Sequence, residues 1–463
     1  MEKASAGGRR PRVVMLPWLG HSHIFAFLEL SRKLVQRGLT VFFCSTPSNL
    51  AAIEAKLRQD AYAQIKPMEI RLPPTPGLPP NCESPATLPH SLIPLLSKTF
   101  DSLGPAFLEL LRDVDPDCVI HDVLPWAPAA ASELGILAIP FLTVGSAATS
   151  YIFGKAKGGH DFPWKRRLPD ACALLKMDEA LDDADGRVSI KQRMADCLDK
   201  SGSIVACKTH VEIESGFLDY LSAMTRKRAI PVGLLLPEGG DEQCRQAEWL
   251  DRQPGGSVVY AAFGSEYFMT KDEIREIALG LELCGLPFIW VVRFVHGPDG
   301  GEEMSLEESL PSGFLERVTG GGGRGMVVGG WASQMKILSH GSVGGFLTHC
   351  GWGSLTEGIG SGVPLIALPL HLEQPINAQV AAGELGVGVM VEREEDGGFK
   401  GNKIAKGIRR VMVEEEGAGV RRAAEELAKR IGSERDADLE VVVNEVKSFA
   451  CKRRERGAKD GKQ

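Results

Sequence analysis

The 463-residue sequence has no uninterrupted apolar run of about 18 residues, the length that a membrane-spanning helix needs. Met1 to Arg12 holds no apolar core of signal-peptide length, so a cytosolic protein is the expectation. Positive charge is not in excess. Lys and Arg number 53 against 60 Asp and Glu, and the net charge of −7 argues against nucleic acid as a partner. The basic residues at Cys451-Lys-Arg-Arg-Glu-Arg read as a solvated tail rather than a binding patch. Ten cysteines are present without any paired C-x-x-C spacing, which speaks against a structural zinc site and fits reduced thiols. No G-x-G-x-x-G follows the first expected strand, which weighs against a dinucleotide-dependent oxidoreductase.

What is present is a soluble composition, 43% hydrophobic and 24% charged, spread over a length that implies two domains. Arg12–Leu19 reads as a strand, Ile24–Arg37 as an amphipathic helix and Thr40–Ser45 as a second strand, a βαβ unit. Cys118–Val123 and Ile136–Val144 continue the alternation. Ser257–Phe263, Phe288–Val292, Gly325–Val328, Gly344–Leu347 and Leu365–Leu368 repeat it, with a helix at Asp272–Leu283. The fold class is therefore α/β, two facing doubly wound, Rossmann-like domains whose strands end at a common cleft. The expected division is 1–235, a linker at 236–253 rich in Pro, Gly and acid, 254–437, and a closing segment 438–463 with a helix at Asp438–Phe449. Leu72–Pro85, Lys155–Asp185 and Gly297–Gly323 read as loops.

The richest stretch runs from Trp331 to Gln374. Val343–Leu347 is an apolar strand and Ser354–Gly358 the first turn of a helix, with Thr348–Gly353 as the connecting loop. Such a helix start aims unpaired N–H groups and the positive dipole end into the cleft, an anion site suited to phosphate. His349 can donate to a phosphate oxygen, Ser354 can cap the helix and bond the same group, and Gly351 and Gly353 allow close approach. Glu357 suits ribose hydroxyls, Trp331 offers a flat face to a base, and Gln334 can bond a ribose or base edge. Glu373 and Gln374, after a further strand, can bond sugar hydroxyls.

The first strand and helix meet at Pro17-Trp18-Leu19-Gly20-His21-Ser22-His23. His23 then sits at a helix N-terminus, where the dipole disfavours imidazolium and keeps a neutral base. Asp122, at the end of a parallel strand, reaches the same sheet edge and can fix the imidazole tautomer. His21 is the alternative occupant of the cleft, and His121 packs to the other side of its strand.

The Trp331–Gln374 stretch, with His-Cys-Gly-Trp, the following Ser and Glu, and the closing acid-Gln pair, resembles the sugar-donor signature of plant family 1 UDP-sugar-dependent glycosyltransferases. The resemblance extends from Arg12 to Phe449 and implies the two-domain GT-B arrangement, with the last helix crossing back to the first domain. It implies His23 as general base and Asp122 as its partner, with donor contacts from Ser265, Trp331, Ala332, Gln334, His349, Trp352, Gly353, Ser354, Glu357, Glu373 and Gln374. No metal and no cofactor are implied, only a UDP-sugar as donor co-substrate. Gln374 makes glucose the first choice, with xylose, arabinose or rhamnose behind it. The acceptor site is expected from His90, Val144, Gly145 and the loops around them. Runs such as Gly264-Ser-Glu-Tyr-Phe are similar to members that extend a sugar on a triterpenoid, steroidal or flavonoid glycoside. Direct transfer to an aglycone and an inactive nucleotide-sugar-binding protein are the alternatives. A monomer is expected. Four departures stand out against the family pattern: Gly353 for Asn, Ser333 for Pro, Glu373 for Asp and Ser22 for Gly.

Overall fold

The computed structural model describes residues 9–460 apart from 86–87, 159–161, 164–170, 183–187, 238–245, 265–266, 268, 293–307, 309, 321–322 and 434–436. Seven strands form the first sheet: β1 (Arg12–Leu16), β2 (Thr40–Ser45), β3 (Lys66–Glu69), β4 (Cys118–His121), β5 (Leu137–Leu142), β6 (Ile204–Cys207) and β7 (Arg228–Pro231). Six form the second: β8 (Val258–Ala262), β9 (Phe288–Val292), β10 (Gly325–Gly329), β11 (Val343–Thr348), β12 (Leu365–Ala367) and β13 (Gly388–Met390). The orders are β3-β2-β1-β4-β5-β6-β7 and β10-β9-β8-β11-β12-β13. Every recorded strand pair is parallel, so each sheet is the doubly wound type expected.

The central strands are continuous apolar runs because helices cover both faces. All six residues of β5 and all five of β8 are buried. Chain order reverses beside β1 and β4 in the first sheet and beside β8 and β11 in the second. At such switch points the crossovers diverge and open a crevice at the carboxyl edge.

Several boundaries differ from the sequence reading in ways that matter to the site. Strand β1 stops at Leu16 because Pro17 follows, and the next helix starts early, at His21, behind Gly20. The helix expected from Ser354 begins at Trp352, with Gly351 as its N-cap, so Gly353 lies inside the first turn and Ser354 is not the cap. The segment read as a loop over Lys155–Asp185 carries the helix Ala171–Asp182, and that read over Gly297–Gly323 carries Phe314–Thr319. Within 236–253, the short helix Ala247–Leu250 buries Leu250.

The last helix, Ala437–Asp460, is longer than expected and packs on the first domain. Leu439, Val442, Val443 and Val446 are fully buried in the same core as Val13, Phe27 and Val41. Glu440 pairs with Arg37 at 2.7 Å, and Arg453 with Asp115 at 2.9 Å. Replacing a fully buried Leu by Ala costs roughly 2–5 kcal/mol. Leu439→Ala is therefore expected to lower the urea midpoint for unfolding of the first domain. An unmoved midpoint would mean that the last helix is not part of that core.

Candidate active site

A cavity of about 660 Å³ lies between the two sheet edges. From the first domain it is lined by His21, Ser22, His23, Lys56, Thr143, Val144 and Lys208. From the second it is lined by Gly264, Trp331, Ala332, Gln334, His349, Gly351, Trp352, Gly353, Ser354, Glu357, Glu373 and Gln374. Among the described residues no group of three or more His, Cys, Asp or Glu is arranged to hold a metal ion.

His23 falls in the first turn of its helix, its own N–H bonded to the Gly20 carbonyl at 3.1 Å. Its Nδ1 lies 2.6 Å from Asp122 Oδ2 and 2.8 Å from Thr143 Oγ1. Asp122 is 2% exposed and accepts two backbone bonds as well, from Trp18 N at 3.1 Å and Val123 N at 2.8 Å. Burial alone would push its carboxyl up. The charge and hydrogen bond of His23, with the two N–H donors, outweigh burial and hold the pKa below 3.8. An ionised Asp122 accepts from Nδ1–H, which assigns the lone pair of the neutral ring to Nε2.

His21 does not compete for Asp122. Its ring stacks on Phe25 at 4.3 Å and tilts against Trp331 at 4.7 Å, across the domain boundary. His121 is fully buried and bonds the Asp122 carbonyl at 2.7 Å through Nδ1; burial drives its pKa down to about 4.

On the facing side, strand β11 runs into the helix Trp352–Gly360, whose N-cap Gly351 supplies no side-chain acceptor. The first-turn N–H groups are thus left to a ligand. His349 sits against them, buried, its ring nitrogen Nε2 held between two glycines. A Cβ on Gly264 (φ +81°) or on Gly351 would stand 2.5 Å from that nitrogen. Burial, then the charge of His371, takes the His349 pKa down to about 3. The ring is therefore neutral and gives an anion a hydrogen bond rather than a charge.

Gln334 Nε2 donates to Glu357 Oε2 at 2.7 Å and to Ser354 Oγ at 3.2 Å, while Tyr260 donates to its Oε1 at 3.3 Å. The amide so aligns the Glu357 carboxyl, whose pKa burial raises against the opposing pull of Lys208 and Gln334. Trp331 is 64% exposed, its indole open to a planar partner. Gln374 is spent locally: Oε1 accepts from Leu370 N at 2.8 Å and His371 N at 3.1 Å, fixing the turn that carries Glu373. Its carbonyl therefore shapes the sugar end of the cavity more than it reaches into it.

Trp352 lines the cavity as expected but also packs across the domain boundary, Gly145 does not line it, and two further expected positions cannot be placed among the described residues. The Trp352 side chain is turned into the domain boundary: Nε1 donates to the Lys208 carbonyl at 2.6 Å, and the ring lies on Gly145, where a Cβ would stand 2.9 Å from it. Gly145 is accordingly a packing residue beneath Trp352, and Val144 lines the cavity without it. Ser265 lies outside the described residues. His90 opens the short turn His90–Leu92, and its side chain is likewise outside them.

Thr143 and Lys208 escaped the sequence reading. Each directly follows the end of a central strand, β5 and β6, so counting one residue past each strand to the carboxyl edge would have found both.

The two buried histidines make a pH prediction. Both have folded values below their ordinary 6.5, so the unfolded chain binds protons that the native chain refuses. Their stabilising contribution is full above pH 6.5 and is lost as pH falls through the folded values. Urea unfolding should show stability declining from pH 6.5 to about 4. His349→Gln should flatten that decline; an unchanged slope would place the titration elsewhere.

Comparison with known proteins agrees along the chain. A glycosyltransferase N-terminal domain matches residues 11–235, and the UDP-glucoronosyl and UDP-glucosyl transferase family matches 241–396. UDP-glucosyltransferase 29 of Panax ginseng is 38% identical over 453 residues, 96% of this chain and 98% of that one. Flavanone 7-O-glucoside 2''-O-beta-L-rhamnosyltransferase of Citrus maxima is 38% identical over 449 residues, 94% of this chain and 97% of that one. The crystal structure of Glycyrrhiza uralensis UGT73P12 complexed with glycyrrhetinic acid 3-O-monoglucuronide superposes with a TM-score of 0.81 at 26% identity, over 98% of this chain and 99% of that one. With two parallel α/β domains meeting at this cavity and relatives matched over nearly their whole length, the chain belongs to the plant family 1 UDP-glycosyltransferases, GT-B transferase enzymes that use UDP-sugar donors.

Proposed function

We propose that this enzyme moves a sugar, glucose first, from a UDP-sugar to a hydroxyl on the sugar of a plant glycoside, with inversion at the anomeric carbon. The observation that carries the reading is the His23–Asp122 pair, 2.6 Å apart, opposite the helix start at Gly351 within one cavity. His23 Nε2 takes the proton of the acceptor hydroxyl as its oxygen attacks the anomeric carbon, and the bond from that carbon to the UDP oxygen breaks. Asp122 stabilises the imidazolium formed, a general-base contribution of about a hundred- to ten-thousand-fold. Thr143 Oγ1 lies against the same Nδ1 and shares its hydrogen with Asp122. The charge left on UDP is met by the first-turn N–H groups and the neutral His349. Trp331 and Ala332 would hold the base, Gln334 and Glu357 the ribose, Ser354 a phosphate, and Glu373 the sugar.

Transfer to a glycoside is supported by the Citrus relative, whose name gives a glucoside as acceptor, and by the monoglucuronide in the Glycyrrhiza structure. Glucose is supported by the Panax relative. Residues 1–235 would then hold the acceptor through Val144 and its neighbours, and 254–437 the donor. The eight cysteines whose side chains are described are all free, seven of them buried or half-buried, which fits a reducing compartment such as the cytosol.

His23→Ala should retain UDP binding, measured by calorimetry, while transfer from UDP-glucose to a panel of plant glycosides disappears; retained turnover would overturn the role of His23. In the same assay, matched aglycones should go unglycosylated, and preference for aglycones would redirect the acceptor reading. Gly353 is the departure most open to test, because a Cβ there meets nothing within 4 Å. One added hydrogen bond is worth about 0.5–1.5 kcal/mol. Gly353→Asn should therefore lower the KM for UDP-glucose by roughly two- to tenfold. A KM that stays or rises would mean that no contact is missing at that position.

A further inference from the structure

Lys208 has no part in the mechanism above, and its setting is unusual for a lysine. It follows β6 in the first domain, is only 5% exposed, and lines the cavity together with Gly351, Gly353 and Ser354 of the second. The Trp352 indole, bonded to the Lys208 carbonyl at 2.6 Å, fixes this backbone against the first residue of the helix whose N-terminus opens into the cavity. Among the described residues, no hydrogen bond or ion pair within 4.0 Å engages the Lys208 ammonium. The contrast with Lys56, on the same wall, is plain, since Lys56 is neutralised by Glu29 at 2.7 Å. Glu357, the acid whose charge acts most on Lys208, spends its Oε2 on Gln334. Burial lowers the Lys208 pKa, as expected of a cation without a close counterion.

A buried amine that opens into a cavity and lacks a partner is costly unless an anion arrives. The helix start beside it selects for the same kind of group, and an ammonium brings three donors to it. We propose that Lys208 binds the diphosphate of the nucleotide from the first domain, facing the helix N-terminus of the second, so that the donor's charge is held from both sides of the cleft. This rests on the transferase reading above. Lys208 would also offset charge on the departing UDP, and its contact would tie donor binding to closure of the two domains.

The test separates phosphate recognition from support of Glu357. Uridine and UDP share the ribose and base but only UDP carries the diphosphate, so calorimetry of both against Lys208→Met and Lys208→Arg isolates the charge. A charge-assisted hydrogen bond lost to a buried partner corresponds to roughly ten- to hundredfold in affinity. Lys208→Met should weaken UDP by about that factor, leave uridine within about twofold, and raise the KM for UDP-glucose. Lys208→Arg should recover most of the UDP affinity. Equal losses for uridine and UDP, or an unchanged UDP affinity, would overturn the proposal.

A second measurement needs no variant. Reductive methylation of the unmodified chain with formaldehyde and a borohydride reductant, read by peptide mass spectrometry, should label Lys208 without ligand and with saturating uridine, and leave it unlabelled with UDP. Equal labelling with both ligands, or none without ligand, would also overturn it. A chain that binds neither uridine nor UDP would instead refute the transferase reading itself, whereas binding of both with a ratio indifferent to Lys208 refutes this inference alone.

Discussion

The Asp122 carboxylate is the fixed point of the first domain's active edge. It ties the end of β1 through Trp18 N, the end of its own strand through Val123 N, and the start of the first helix through His23. Three separate pieces of chain are thereby held to one buried charge. Because that charge is satisfied by two backbone donors and one ring nitrogen, it stays ionised in a place where an unpaired acid would not. The ionised carboxylate in turn holds the His23 ring by Nδ1 in one orientation.

The facing wall solves a different problem. His349 is too deeply buried to carry charge, so this wall offers an anion hydrogen bonds and dipoles, and the glycines at 264 and 351 let that ring come close enough. Gln334 locks Glu357 and Ser354 in one network, and Gln374 locks the turn bearing Glu373. Polar side chains that look like ligand contacts in a sequence are here partly occupied in holding one another. Such prior occupation is what keeps a polar cavity in one arrangement before its ligand arrives.

The sheets were legible because their strands are nearly unbroken apolar runs at βα spacing, and β2 and β9 match residue for residue. Helix starts were less so: a capping side chain is the usual signal, and neither Gly20 nor Gly351 has one, so both helices begin earlier than a reader of side chains would place them. The His23–Asp122 meeting was legible from strand-edge topology, since both residues end up at the carboxyl edge of adjacent strands. The second role of Trp352, packing across the domain boundary while it lines the cavity, was not, because nothing in the sequence marks a contact between the two domains. Only the packing of Gly145 beneath the indole reveals a residue that joins two domains. Thr143 and Lys208 have no motif around them, and their positions follow from where strands stop rather than from what they are.

The last helix has a mechanical meaning. Because Leu439 to Val446 are built into the core of the first domain, the chain leaves that domain after β7, builds the second sheet, and returns. The second domain is therefore tethered at two covalent crossings instead of one. A single tether would let it swivel in any direction. Two leave it chiefly the freedom to tip about the line that joins them, so opening and closing of the cleft would follow one path, bringing the same residues face to face on every turnover.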